Sequence, residues 1–127
     1  MSPLLRLEGR RERSLFLSKR REYNGKVKRA LRKVRRDYRH LRPSLVEDRF
    51  VGSPEVDPKY LTIYLFYKTD AALMEAEQKG YIQLLRGAVA AALRQECYPQ
   101  ESVSAVQIRI SSQQAVKSAG GFWNYHR

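Results

Sequence analysis

The run "YLTIYLFY", residues 60 to 67, most narrows what this chain can fold into. It is rich in β-branched and aromatic residues, the composition of a strand. Successive side chains of a strand point to opposite faces, so Leu61, Ile63, Leu65 and Tyr67 share one face. Tyr60, Thr62, Tyr64 and Phe66 share the other. Both faces are largely apolar, which predicts a central strand covered on both sides. The rest of the chain must supply two covers.

The flanking segments suggest how. Thr69-Asp70 can cap a helix that runs to about Cys97, with Gly80 or Gly87 as possible breaks. Leu73, Ala76, Tyr81, Leu84, Leu85, Ala88 and Ala92 form its expected inner stripe. Residues 103 to 110 alternate and read as a second strand, with Val106, Ile108 and Ile110 on one face. "SSQQAVKSAGG" reads as a short helix capped at Ser111 or Ser112, with glycines past its end. "FWNYHR" is expected to be a final edge strand, anchored by Trp123, Phe122 and Tyr125.

Upstream, residues 43 to 59 hold three prolines and a Gly-Ser pair, and read as a loop or linker. Before it, residues 26 to 42 have Val27, Leu31, Val34, Tyr38 and Leu41 on one helical face, with Pro43 as the stop. A first helix from about Arg10 to Tyr23 is expected, separated by a turn at Asn24-Gly25. The two form a helical hairpin or one kinked helix. The expected fold class is α+β or α/β: an Arg-rich N-terminal helical segment (1–43), a Pro-rich linker (44–59) and a small β-α-β-α-β unit (60–127), all in one compact domain.

Charge divides the chain at the same place. The net charge is +12 over 127 residues. Residues 1 to 43 carry 16 Lys/Arg against four acids, whereas residues 44 to 127 carry nine of each. Within residues 26 to 39 there are eight cations and one acid, Asp37. Such crowding is self-repulsive in the isolated protein, and an anionic partner relieves it. Lys28, Arg29, Arg32, Lys33, Arg35, Arg36 and Arg39 are the expected phosphate contacts, since each contacted phosphate releases counterions. Tyr38 and His40 are candidates for contact with bases. The bland alternative is a solvated face that serves only solubility. RNA or DNA is the expected partner, with an acidic protein surface next. A membrane is not expected, because the apolar stripe is Val, Leu and Tyr and is needed for docking. The sequence sets no oligomeric state.

Catalytic patterns are missing from the sequence. Two histidines, His40 and His126, have no neighbouring Cys or acidic ligand, so neither a metal nor another cofactor is expected. Glu47, Asp48, Glu55 and Asp57 cluster in the linker, where they can balance the adjacent basic residues. There is no Gly-rich phosphate loop and no nucleophile elbow, so an enzyme is not expected; a nuclease, which would need the two histidines or the linker acids to converge on one phosphate, is the distant alternative. Cys97 stands alone, which excludes an intramolecular disulfide; a buried helix-end thiol is expected there. No apolar run reaches the roughly 18 to 20 residues of a membrane span. The first residues lack a continuous hydrophobic segment, and a cytoplasmic location is expected.

From "DPKYLTIYLFYKTD" through a long helix to "VQIRISSQQAVKSAGGFWNYHR", residues 58 to 127 resemble small α/β immunity proteins of bacterial toxin–immunity loci. These proteins tend to end in a strand, a Ser-led helical turn, glycine, and an aromatic strand with a terminal Arg. The resemblance implies an alternative function, binding and inhibition of a cognate toxin. It implies no particular site residues.

Overall fold

The computed structural model describes residues 22–52, 54 and 57–126. The expected helix from Arg10 to Tyr23 lies almost entirely outside them. The fold is α+β, with six helices and a three-stranded sheet among the described residues. A first helix, α1, spans residues 22–37. The strands are β1 (Glu47–Gly52), β2 (Leu61–Tyr67) and β3 (Gln107–Ser112), in spatial order β1-β2-β3. Between β2 and β3 lie α2 (Asp70–Gln78), α3 (Tyr81–Gln95) and α4 (Gln100–Val103); α5 (Gln113–Ser118) and α6 (Phe122–His126) follow β3.

β2 is central, antiparallel to β1 and parallel to β3. As its two apolar faces require, it is covered on both sides. On one side Leu61, Ile63, Leu65 and Tyr67 join Val27, Ala30, Leu31 and Val34 of α1 and Leu85, Val89, Ala92 and Leu93 of α3 in the main core. On the other, Tyr64 and Phe66 pack with Phe122. Their rings stack or meet edge-on at centroid distances of 5.1 to 6.4 Å, the range in which aromatic pairs are favourable.

Several expectations change. The helix runs through Asn24 and Gly25, so no hairpin turn lies there. The stripe that includes Val27, Ala30 and Leu31 is buried against the sheet, and this packing outweighs the local turn preference of Asn-Gly. The helix also stops at residue 37 and not at 42. A tight turn follows, in which the Arg42 guanidinium donates to the carbonyls of Arg39 (2.7 Å) and Leu41 (3.1 Å). The expected linker contains a strand, β1. Phe50 pairs with Ile63 and turns to the main core, and Asp48 lies on the same face opposite Leu65. Gly52 ends this strand at φ 119°, where a Cβ would sit 2.1 Å from the Tyr60 carbonyl oxygen. Only glycine fits there.

The expected last strand is the helix α6. Phe122 is its buried anchor, Tyr125 donates to Ser111 Oγ at 2.7 Å, and Trp123 is exposed. The segment roofs the Tyr64–Phe66 face, and its helical turn is what brings Phe122 and His126 onto Tyr64. The second strand begins later than expected, because residues 100 to 103 form α4.

The capping expectations hold. Thr69 Oγ1 accepts from Ala72 N at 3.1 Å, and Ser112 Oγ accepts from Ala115 N at 3.0 Å. Gly80, at φ 80°, breaks α2 from α3. The break resets the helical phase, leaving Leu84 exposed and bringing Val89 and Leu93 inward. Among the described residues, no helix is long and apolar enough to cross a membrane.

Candidate nucleic-acid interface

α1 docks through Val27, Ala30, Leu31 and Val34, each at most 2% exposed. With that stripe fixed, its cations are forced onto the two flanking edges and the outer surface.

One edge meets the end of α3. Lys26 Nζ reaches the Cys97 carbonyl at 3.1 Å and Glu22 at 3.2 Å. Arg29 pairs with Glu96, and Lys33 donates to Gln95. The α3 terminus closes with Cys97 in the left-handed region at φ 60°. The Cys97 amide donates to Arg94 O and the Tyr98 amide to Leu93 O, both at 3.0 Å. This is the paired capping that follows a left-handed residue at a helix end. The carbonyl end of a helix carries partial negative charge. Lys26 and Arg29 therefore meet negative charge supplied by the protein itself, and Lys33 meets the amide oxygen of Gln95. The thiol of Cys97 is exposed there, contrary to the expected burial, because the capping geometry fixes its backbone and leaves its side chain outside.

The other edge meets nothing of this kind. Lys28, Arg32, Arg35, Arg36 and Arg39 line a cleft of about 520 Å³. Its opposite wall comes from the turn after α1 and from β1: Leu41, Pro43, Ser44, Leu45, Asp48 and Phe50. Asp48 is the sole carboxylate in the lining, and Arg35 engages it at 3.0 Å. Arg36 has only its sequence neighbour Asp37, at 3.3 Å. Lys28, Arg32 and Arg39 are exposed and make no ion pair within the described residues. Lys28, Arg32 and Arg36 recur every four residues and so point the same way, spanning about 12 Å of helix.

The candidate residues thus divide. Lys28, Arg32, Arg35, Arg36, Arg39 and Tyr38 come together at the cleft, whereas Arg29 and Lys33 are turned to α3. His40 is exposed and outside the lining. His126 packs beyond the opposite face of the sheet, hydrogen-bonded through Nδ1 to the Tyr64 hydroxyl, so the two histidines form no pair. Tyr64 and Phe66 are buried beneath α6 and offer no stacking platform. The linker acids diverge: Asp48 pairs with Arg35, Glu47 with Arg49, and Asp57 with Lys59. Among the described residues, no group of three His, Cys, Asp or Glu is placed to hold a metal.

The wall from Leu41 to Phe50 escapes a reading of the sequence. Its signal is the alternation of Asp48 and Phe50 against Glu47, Arg49 and Val51, obscured by a charge on the inward face.

No family model, curated protein or solved structure matches the chain.

Proposed function

We propose that the protein is a non-catalytic nucleic-acid-binding module that grips the phosphate backbone with the cleft edge of α1. The observation that carries this reading is the row Lys28, Arg32, Arg36 and Arg39, aligned along a cleft whose sole carboxylate is already engaged by Arg35. Arginine suits such a task, because its planar fork gives bidentate contacts to phosphate and it sheds water more readily than lysine. The contacts read backbone, not sequence, so affinity is largely sequence-independent and falls with salt. The main core holds α1 against the sheet, so Lys28, Arg32 and Arg36 are presented on a rigid element and Arg39 on the turn that follows it.

The test is a fluorescence-anisotropy titration of labelled RNA and DNA near physiological salt. The wild type is expected to bind at micromolar concentration or tighter. Changing Lys28, Arg32, Arg36 and Arg39 together to Ala is expected to weaken binding by about a hundredfold or more, on the order of the loss from several phosphate contacts. Absence of binding to either nucleic acid overturns the reading. The same cations would then serve an acidic protein, the partner class of the immunity-type alternative, and a pull-down with the variant as control would follow.

A further inference from the structure

Below the cation row, the cleft has an interior that phosphate contacts leave unused. Its volume of about 520 Å³ lies within the roughly 300 to 1,000 Å³ of sites that take small molecules. Leu31, Leu41, Leu45, Phe50 and Leu85 make it apolar, and half-buried Tyr38 stands among them. Leu31, Leu85 and Tyr67 close its floor, at 2%, 2% and 1% exposure.

Two demands therefore meet in one cavity. The rim favours negative charge, and the interior favours an apolar, flat body. A bare phosphate satisfies only the first, since desolvating it against leucines is costly. A purely apolar ligand satisfies only the second. A nucleotide satisfies both: its base has a π-face for half-buried Tyr38 and Phe50, and phosphates flank it on either side. In a duplex that base is paired and stacked, and extruding it is expensive. In a single strand it is already free.

We propose that the cleft takes one unpaired base of a single-stranded nucleic acid, with the neighbouring phosphates on Lys28, Arg32, Arg36 and Arg39. This rests on the nucleic-acid reading of the same face and adds a preference for single strands.

The experiment titrates the full-length protein with three labelled probes: a single strand, the duplex of the same sequence, and a single strand in which abasic sites replace the bases. The wild type is expected to hold the single strand about tenfold tighter than either other probe, the scale of one stacked base. Leu45→Trp, which narrows the interior from the wall opposite α1, is expected to abolish that preference. Its far-UV circular dichroism should match that of the wild type, which reports that the variant is folded. Equal wild-type affinity for all three probes overturns base insertion while leaving the phosphate-binding reading intact. Failure of every probe to bind overturns both. Should Leu45→Trp not fold, the abasic comparison on the wild type decides alone.

Discussion

The two edges of α1 carry the same kind of side chain and meet opposite surroundings. Lys26, Arg29 and Lys33 face the carbonyl end of α3, with Glu96, Gln95 and the Cys97 carbonyl as partners. Lys28, Arg32, Arg36 and Arg39 face a cleft in which the sole carboxylate already belongs to Arg35. On the first edge, cationic charge helps hold the helix in place. On the second, the described residues supply little counter-charge beyond Asp48 and Asp37. Charge density alone therefore does not mark a binding surface; what matters is whether the fold has already supplied the counter-charge.

Detaching the helix that carries both edges has the largest expected effect. Leu31 is 2% exposed in the main core, and Leu31→Ala is expected to cost about 2 to 5 kcal/mol. Urea unfolding would measure it. A loss below about 1 kcal/mol would mean that α1 is not docked as described.

Alkali tests the packing beside each edge. Tyr98, which meets Tyr23 of α1 edge-on at 5.8 Å, has its pKa pushed up to about 12, first by burial and then by Tyr23 and Asp57. Tyr67, beside the cleft, is likewise raised to about 12, by burial and then by Tyr81. In the unfolded chain both ionise near their ordinary value of about 10. Below that pH both states keep the proton and stability is unaffected. Between about pH 10 and 12 the unfolded state releases protons that the folded state retains, so stability falls as pH rises. Urea midpoints measured across that range should decline, and less steeply in a Tyr67→Phe, Tyr98→Phe double variant. A flat profile in the wild type would contradict the burial of these rings.

The smallest effect is expected at the α3 edge. Arg29→Ala with Lys33→Ala removes exposed contacts, each worth on the order of 0.3 to 1 kcal/mol. Stability should drop by about 1 kcal/mol in total, while nucleic-acid affinity changes by less than about threefold. A large loss of affinity with no loss of stability would reverse the roles assigned to the two edges.

Much of this architecture can be read from local pattern. The two apolar faces of residues 61 to 67 dictate a covered central strand, and Thr69, Ser112 and Gly80 mark helix boundaries through side-chain acceptors or backbone freedom. The stripe of α1 is legible because its period is that of a helix. What escapes is decided by partners distant in sequence. β1 looks like a loop because prolines and a Gly-Ser pair surround it, and Asp48 puts a charge on its inward face that makes sense only once Arg35 lies opposite it. α6 looks like a strand because its aromatics suit one, yet Phe122 is needed as a lid on Tyr64 and Phe66. The division of the cations could not be seen either, since Arg29 and Arg32 are equivalent until Glu96 is placed beside one of them.

The most direct test of the division is the salt dependence of duplex DNA binding, compared among the wild type, the Lys28/Arg32/Arg36/Arg39→Ala variant and the Arg29/Lys33→Ala variant. Each phosphate contact contributes about 0.9 to the slope of log affinity against log salt. The cleft-edge variant is expected to lose about three to four from that slope, and the α3-edge variant essentially nothing, the change expected when no phosphate contact is lost. Equal losses in both variants would contradict the account, because the two edges would then be one undivided basic surface.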